Sequence, residues 1–351
     1  FGFFIRNYLA DGTMAIQSAD HIPILDIGAF LSGDESTAIE VASQLRWIQE
    51  EIGFYYIVNH GLSAELIQRA IEQVRGLHSL PMADKLKLKV DEDTTGYVPI
   101  NSTIYVTTDA GDNDQYDLNE NYRIVRERKA DHPSIQAGRR FTGPNKWPPQ
   151  DLLPDFKSTM LEYYNAMENL GRALLPLYAR ALDLAPDYFD ELFTDPTWLT
   201  RNVHYPAAPA KDNQFGISPH TDHGFITLLP VSKVPGLEVK TQTGEGMTGD
   251  YVEGAMIVNS GDFMQKWTNG RFIATPHRVL APKEERYISA FFFNPNWDVR
   301  SEPLPSCVSA EAPAQFDVTT FHEHLCNYVD RNYSKSSGGQ ADEQTSDPAV
   351  S

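Results

Sequence analysis

The sequence predicts a mainly β protein with flanking helices, in which an all-β barrel or sandwich forms the C-terminal half. From Leu199 to Asn294, short apolar runs alternate with turns rich in Gly, Pro, Asn and Asp, which is typical of such a sheet fold. Apolar residues at helical spacing precede this region, and no repeat of fixed period occurs. We therefore expect one sheet structure supported by helices from the N-terminal half.

The N-terminal part alternates short strands with helices. Residues 22–27 and Phe54–Val58 have the apolar character of strands. Residues 36–53 carry Ile39, Val41 and further apolar side chains at helical spacing, and residues 63–77 repeat that pattern after a capping serine. We predict two amphipathic helices there, separated by a buried strand.

Residues 91–117 are polar and lack periodicity, but they carry tyrosines, among them Tyr97 and Tyr105. Segments of this length without a pattern are usually functional or disordered. Both a functional loop and a plain surface loop remain open here.

Residues 155–184 form a long helical pattern whose Met and Tyr side chains are expected in the core. Pro176 is predicted to kink or split this helix. A last helix is predicted from Phe316 to Tyr328, where it could cover the barrel.

Composition limits the partners and the location. Lys and Arg number 29 against 48 Asp and Glu, a net charge of −19, which argues against nucleic acid or an anionic membrane as partner. Cys307 and Cys326 are too few for a disulfide framework and indicate a cytoplasmic protein, although one bridge between them stays open. No run approaches the about 20 apolar residues of a membrane span.

The two ends are expected to lie outside the fold. Residues 1–20 are predicted to be an N-terminal extension in which Met14 is a candidate natural start, and they lack the pattern of a signal peptide. Residues 334–351 are rich in Ser, Gly, Gln, Asp and Glu and predict a flexible, solvated tail.

The candidate catalytic chemistry centres on His220 and Asp222. These side chains are two residues apart in an extended segment, so they project to the same side and can reach one metal ion. His277 is the candidate third ligand, brought back by a later strand. Two His and one carboxylate on one face of an ion leave other positions open, as in non-heme Fe(II) oxygenases.

A second candidate is Arg286, which opens an apolar, aromatic strand. A buried guanidinium needs an anion, because an unpaired buried charge is costly. A dicarboxylate bound to the metal at one end would supply that anion, and an ion pair with Glu284 or Glu285 is the alternative.

These residues occur in an order that resembles the isopenicillin N synthase-like branch of the Fe(II)/2-oxoglutarate-dependent dioxygenases. The resemblance extends from about residue 22 to about residue 333. The matching stretches are IPILD at 22–26, GFYYIVNHG at 53–61, HTDHGFITLL at 220–229, GLEV at 236–239, VNSGD at 258–262, WTNGR at 267–271, TPHRV at 275–279 and FFNP at 292–295.

The resemblance implies a double-stranded β-helix, or jelly-roll, barrel and a division of the chain. Residues 21–150 would form the N-terminal dioxygenase region, 151–198 a helical support, and 199–333 the catalytic barrel with its C-terminal helix.

The resemblance also implies the reaction. Fe(II), 2-oxoglutarate and O2 would oxidise a small molecule by hydroxylation, desaturation or cyclisation, with release of succinate and CO2, in secondary metabolism. Zn(II) or Mn(II) would accept the same ligands, but the implied reaction needs a redox metal. Arg286 would bind the distal carboxylate of 2-oxoglutarate, since a guanidinium matches a carboxylate with two hydrogen bonds.

One departure bears on the cosubstrate. The family usually has Arg-x-Ser here, whereas this chain has Ile288 on the Arg286 face, and Ser289 points away unless a bulge reverses it. Tyr205 is the candidate replacement donor and Thr227 a weaker one. Two alternatives therefore stay open: an Fe(II)/O2 oxidase that does not use 2-oxoglutarate, and a non-enzymatic barrel that binds a small ligand.

The sequence leaves the substrate and the oligomeric state open. It favours a free small molecule, such as an amino acid, nucleobase or secondary metabolite, over nucleic acid. The candidate substrate-pocket residues are His223, Thr227, Phe291, Phe293, Tyr97 and Tyr105.

Overall fold

The computed structural model describes residues 21–91, 94–102, 115–241, 244 and 246–333. Three predictions concern other parts of the chain: the start at Met14, the placement of Tyr105, and the tail at 334–351. These lie outside the described residues.

Most helices precede the main strands of the barrel in the chain, and the last helix follows them. Two short 3-10 turns, at Asp190–Phe193 and Pro305–Cys307, accompany them. The helices are α1 (Gly28–Leu31), α2 (Glu35–Glu51), α3 (Ala64–His78), α4 (Met82–Lys87), α5 (Pro133–Gln136), α6 (Phe156–Ala181), α7 (Asp262–Trp267) and α8 (Phe321–Tyr333).

The strands are short and mostly antiparallel, as the alternation of apolar runs and turns predicts. The strands are β1 (Ile24–Asp26), β2 (Phe54–Val58), β3 (Gly96–Val98), β4 (Glu120–Val125), β5 (Thr197–Tyr205), β6 (Ile217–His220), β7 (Ile226–Pro230), β8 (Leu237–Lys240), β9 (Gly246–Thr248), β10 (Met256–Ser260), β11 (His277–Val279) and β12 (Arg286–Asn294).

These strands form two sheets. The larger sheet has eight strands in the order β1-β2-β10-β7-β12-β5-β4-β3, and the smaller has the order β6-β11-β8-β9. The predicted mainly β fold with flanking helices is confirmed. The N-terminal region is part of the larger sheet, because β2 pairs with β10 and β4 pairs with β5.

Helix α6 packs on the outer face of the larger sheet. Its Met160, Tyr163 and Met167 are fully buried, which confirms the predicted core stripe. Gly171 lets the helix approach closely, because a Cβ there would lie 2.8 Å from the ring of Phe293. The helix continues through Pro176, so the predicted split is wrong.

Side-chain caps define the helix ends. The Asp34 side chain accepts a hydrogen bond from Ser36 N at the start of α2, and Ser63 does the same for Leu66 N at the start of α3. Ile39 on α2 is 74% exposed, so its assignment to the apolar stripe is wrong.

The last helix begins at Phe321, five residues later than predicted. Thr320 and Glu323 form a capping box: Glu323 N donates to Thr320 Oγ1 at 3.2 Å, and Thr320 N donates to Glu323 Oε2 at 2.8 Å. Cys307 and Cys326 are free thiols, so the bridge left open does not form. Among the helices that the structure describes, none combines the length and apolar character needed to cross a membrane.

Candidate active site

The three predicted metal-ligand candidates come together where two strands of the smaller sheet pair. His220 ends β6 and faces His277 at the start of β11 in the antiparallel register, and Asp222 follows β6. Asp222 Oδ1 lies 3.8 Å from His220 Nε2 and 3.9 Å from His277 Nε2. Since all three ligand atoms lie within 4.8 Å of one another, one metal ion could contact them together.

Both imidazoles are oriented through their second nitrogen. His220 Nδ1 lies 2.8 Å from the Ser218 carbonyl oxygen, and His277 Nδ1 lies 3.1 Å from the Thr275 carbonyl oxygen. A carbonyl only accepts hydrogen bonds, so each Nδ1 carries the hydrogen. Each Nε2 therefore directs its lone pair toward the cluster.

The Asp222 carboxylate is held by two donors. Thr227 Oγ1 and Asn259 Nδ2 donate to Asp222 Oδ2 at 2.5 and 2.6 Å, which leaves Oδ1 toward the histidines. Thr227 lines the same cavity as the three ligand candidates, but its hydroxyl is engaged by Asp222. Asn259 was not predicted as a site residue, although an amide inside the apolar run of β10 signals a buried polar contact.

The protonation states suit metal binding. Burial lowers the pKa of His220 to about 3, and the charge of His277 acts in the same direction. Burial alone would raise the pKa of Asp222, but His277, His220 and the two donors bring it below its usual value. At neutral pH His220 is neutral and Asp222 ionised, the forms that bind a metal.

The candidate ligands line a cavity of about 570 Å³, here called the inner cavity, together with Arg286 and Tyr205. Arg286 is 4% exposed, its Nε donates to the Val234 carbonyl at 3.2 Å, and its guanidinium carbon lies 4.9 Å from the centre of the Tyr205 ring. In the described part of the chain it has no ion-pair partner, and the alternative pairing with Glu284 or Glu285 is not formed.

Burial perturbs both polar groups at this end of the inner cavity. Burial lowers the pKa of Arg286 and raises that of Tyr205, where the charge of Arg286 opposes the effect. Neither Arg286 Nη1 nor the Tyr205 hydroxyl has a hydrogen-bond partner among the described residues. The inner cavity thus has a positive end with unused donors opposite the metal-ligand cluster.

The register of β12 decides which of its residues reach the cavities. Pairing with β5 runs without a bulge from Arg286 opposite Tyr205 to Asn294 opposite Thr197. Arg286, Ile288, Ala290 and Phe292 therefore face inward, as the sequence predicts for Ile288.

The prediction that three further residues of β12 belong to the site is wrong, and the register gives the reason. Ser289, Phe291 and Phe293 point to the opposite face, beneath α6, because no bulge reverses the alternation. Phe291 packs on Trp198, with ring centres 5.3 Å apart, and Phe293 on Phe193 at 5.2 Å. Ser289 lies beside Tyr163 of α6.

A second cavity of about 550 Å³, here called the outer cavity, lies on the other side of Asp222. It shares Arg201, Asp222 and Phe292 with the inner cavity. Its remaining lining residues come mainly from β4, β5 and α8: Thr94, Arg123, Val125, Phe141, Leu199, His223, Leu325, Tyr328 and Val329.

His223 is among the residues that line the outer cavity. Its ring lies 5.2 Å from those of Phe292 and Tyr328, and burial lowers its pKa to about 4. Helix α8 is fastened over this cavity, because Tyr328 donates to the Thr221 carbonyl at 3.0 Å and His324 Nε2 lies 2.7 Å from the His223 carbonyl.

Tyr97 does not reach either cavity, so its assignment to the substrate pocket is wrong. It lies in β3 and is fully buried, with its hydroxyl donating to Glu120. Arg201 and Tyr328 line the outer cavity but were not predicted to do so. Arg201 could have been found from the alternation of β5, which places residues 201, 203 and 205 on one face.

Comparison with known proteins identifies the family. Residues 22–150 match the family described as non-haem dioxygenase in morphine synthesis N-terminal, and residues 196–295 match the 2OG-Fe(II) oxygenase superfamily.

Named relatives and solved structures agree with both matches. Kihadalactone A synthase of Citrus sinensis is 36% identical, over 78% of this chain and 83% of the relative, and the 2-oxoglutarate-dependent dioxygenase citB of Monascus ruber is 33% identical over 91% and 98%. The crystal structure of a Neurospora crassa protein in complex with alpha-KG and thymine is 27% identical, with a TM-score of 0.78 over 92% of this chain and 99% of that one.

The chain therefore belongs to the 2OG-Fe(II) oxygenase superfamily, and the isopenicillin N synthase-like branch fits this assignment. It is a dioxygenase that depends on Fe(II), 2-oxoglutarate and O2 and releases succinate and CO2. The likeness to solved 2OG-Fe(II) oxygenases confirms the predicted jelly-roll fold.

Proposed function

We propose that His220, Asp222 and His277 bind the Fe(II) ion and that Arg286 binds the distal carboxylate of 2-oxoglutarate. The observation that carries this assignment is a buried guanidinium without an ion-pair partner in the described residues, in the same cavity as the three ligand candidates. A dicarboxylate in the inner cavity would reach from the three ligand candidates to Arg286.

The residues of the inner cavity fit that cosubstrate. A carboxylate at Arg286 offsets the cost of burying the guanidinium, and hydrogen bonds between charged groups contribute about 1.5–3 kcal/mol. The hydroxyl of Tyr205 is the donor that we assign in place of the usual serine, since Ile288 is apolar and Ser289 faces α6.

When bound, Fe(II), 2-oxoglutarate and O2 supply the oxidising chemistry. The chain positions the reactants and excludes water. Thr227 and Asn259 hold the Asp222 carboxylate in one orientation, and Arg286 with Tyr205 orients the cosubstrate. Phe292 and Tyr328 provide apolar walls on the substrate side, which we assign to the outer cavity.

We further propose a free small molecule as the substrate and the cytoplasm as the location. The net charge of −19 disfavours nucleic acid, and the two free thiols fit a reducing compartment. The similar proteins described with kihadalactone A and with thymine support this class of substrate. We retain 21–150, 151–198 and 199–333 as the functional regions.

The assignment is tested by adding Fe(II) and then 2-oxoglutarate to the protein without oxygen and recording the visible charge-transfer band. The wild type should form the band. Arg286→Gln should weaken 2-oxoglutarate binding by about 10–100-fold, because the variant loses charged hydrogen bonds to the carboxylate. Iron binding should not change. Arg300→Gln, at an exposed arginine paired with Glu302, is the matched control.

The alternatives give different results. Iron binding without a band would contradict the proposed 2-oxoglutarate site. No iron binding at all would contradict the proposed set of three ligands. Unchanged 2-oxoglutarate affinity in Arg286→Gln would refute the role of that residue.

A further inference from the structure

We propose that His78, Glu120 and His204 form a second metal site, which binds Zn(II). These three side chains, here called the second cluster, line neither the inner nor the outer cavity. One ligand atom from each residue lies within 4.8 Å of the other two, as in the group of His220, Asp222 and His277. Since the two groups share no residue, this inference does not rest on the proposed function.

Helix α3 and two strands bring the second cluster together. Glu120 begins β4 and is the register partner of His204 on β5, so their side chains are neighbours on one face of the sheet. His78 ends α3, and its Nε2 lies 3.0 Å from the Asn202 carbonyl oxygen of β5. By strand alternation His204 points away from Tyr205, so the second cluster lies on the face opposite the inner cavity.

The neutral His78 ring presents a lone pair to the second cluster. The Asn202 carbonyl only accepts hydrogen bonds, so Nε2 carries the hydrogen and Nδ1 has none. Nδ1 lies 3.5 Å from Glu120 Oε1, which is longer than an ordinary N–H···O bond, and has no hydrogen-bond partner among the described residues. The His78 side chain is fully buried. Two buried acceptors that face each other in this way favour a cation between them.

Glu120 divides its two oxygens in the way that Asp222 does. Lys85 Nζ and the Tyr97 hydroxyl both donate to Oε2, which leaves Oε1 toward the two histidines. Lys85 also donates to the His78 carbonyl oxygen at 3.0 Å, so its ammonium group is fixed on the Oε2 side. Donors at one oxygen of a carboxylate orient the other oxygen toward a metal ion.

His204 is oriented by a carboxylate of its own. Its Nδ1 lies 2.8 Å from Glu120 Oε1, and its Nε2 contacts the Glu285 carboxylate. When Nδ1 binds a metal, the Nε2 hydrogen is donated to Glu285, an arrangement that is common for metal-binding histidines. The ring also stacks on Tyr287, with ring centres 4.6 Å apart. Glu120 and Glu285 bring two negative charges against the one positive charge of Lys85.

The donors and their spacing fit Zn(II). Two imidazole nitrogens and one carboxylate oxygen are a ligand set of zinc that leaves a fourth position open. In a tetrahedral site with bonds of about 2.0–2.1 Å, the ligand atoms lie about 3.3 Å apart. The 3.5 Å between His78 Nδ1 and Glu120 Oε1 fits that spacing. The 2.8 Å between His204 Nδ1 and Glu120 Oε1 has to lengthen by about half an ångström.

The test counts the zinc that the full chain binds. Zn(II) also suits the ligand candidates at the inner cavity, so the starting protein is the double variant Asp222→Ala/His277→Ala, freed of metal with a chelator. Calorimetric titration with Zn(II) should show one equivalent bound to the starting protein and two bound to the wild type.

Further variants assign that equivalent to the second cluster. In the starting protein, His78→Gln and His204→Gln should each lower the Zn(II) affinity by about 100-fold or more, and Glu285→Gln by about tenfold, because Glu285 only orients His204. His21→Gln, at a histidine whose side chain is 81% exposed, is the matched control. Saturating Zn(II) should raise the melting temperature of the starting protein but not that of its His78→Gln form.

No zinc on the starting protein would overturn the inference and leave a proton between His78 and Glu120. Affinities within about twofold of the starting protein in both histidine variants would overturn it as well. If His78→Gln fails to fold, His204→Gln and Glu285→Gln decide the question, because those side chains are 14% and 52% exposed. Failure of the Fe(II) assignment is distinguishable, since the starting protein would then bind as much zinc as the wild type.

Discussion

Asp222 illustrates how hydrogen bonds orient a proposed metal ligand. Its Oδ2 accepts from Thr227 and Asn259, so the other oxygen faces the histidines. Partners of this kind fix a ligand's orientation, and their loss reduces metal affinity. We therefore expect the proposed metal site to depend on Thr227 and Asn259, which are not among the proposed ligands.

We predict that Asn259→Ala and Thr227→Val each weaken Fe(II) binding by about 10–100-fold, because the carboxylate then rotates more freely. Equilibrium titration with Fe(II) under argon measures the effect. Thr248→Val, at an exposed position of β9, is the matched control and should leave the affinity unchanged. Affinities within about twofold of the wild type in both variants would show that the donors are dispensable.

Asp117 gives the stability a defined pH dependence. Burial raises its pKa to about 6, against the hydrogen bonds of Ser218 and the charge of Arg201. The folded protein then binds this proton more tightly than the unfolded chain, whose Asp has a pKa of about 4. Its contribution to stability is full below pH about 4 and is lost as the pH rises through about 6.

Asp117→Asn should remove that loss. On raising the pH from 4 to 7, the wild type should lose on the order of 3 kcal/mol of unfolding free energy relative to the variant. Urea unfolding at both pH values measures the difference. Asp298→Asn, at a side chain that is 77% exposed, is the control and should follow the wild type. Parallel pH profiles of wild type and Asp117→Asn would contradict this assignment.

At the scale of elements, Glu120 connects several segments through one buried carboxylate. Lys85 of α4 donates to it at 2.8 Å, and Tyr97 of β3 and His204 of β5 also contact it. Burial would raise the pKa of Glu120, but these partners hold it well below its usual range. Glu120 has the spacing of a metal site together with His78 and His204. Lys85 and Tyr97 already engage its carboxylate through Oε2.

Replacing Glu120 with Gln should destabilise the fold by about 3–5 kcal/mol, because Lys85 stays buried without its counter-charge. Denaturant unfolding at pH 7 measures the change. Asp298→Asn removes an exposed pair with Arg139 and should cost less than about 1 kcal/mol. A similar small effect in both variants would mean that the cluster contributes little to stability.

At the scale of the whole molecule, the N-terminal region and the barrel share the larger sheet. β2 lies between β1 and β10, and β4 pairs with β5 along six residues. A barrel without these strands would expose the unpaired edges of β5 and β10.

We therefore predict that a fragment of residues 196–333 does not fold by itself, although it contains every proposed Fe(II) and 2-oxoglutarate residue. Its amide NMR spectrum should lack the dispersion of the full chain, which is the control. Adding residues 21–195 as a separate chain should restore folding, since that segment supplies β2 and β4. A dispersed spectrum of the fragment alone would contradict this dependence.

Local patterns in the sequence were sufficient to predict the family and to predict on which face of a strand each side chain lies. The order of His220, Asp222 and His277 predicted that these three side chains come together, and alternation along β12 predicted that Ile288 and not Ser289 shares the face of Arg286. The same alternation, applied to Phe291 and Phe293, would have placed them on the face opposite Arg286. These results follow from the two-residue period of a strand, which needs no knowledge of its neighbours.

Only the tertiary structure decided which distant segments meet. The pairing of β4 with β5 sets Arg123 opposite Arg201, β10 brings Asn259 to Asp222, and α8 lays Tyr328 over the outer cavity. Tyr97 was assigned to the pocket by its sequence neighbourhood, but the same β4 brings Glu120 to it instead. The sequence determines each strand's two faces, because side-chain alternation is local. The cavity lining depends on which strands pair, and such pairing joins segments far apart in the chain.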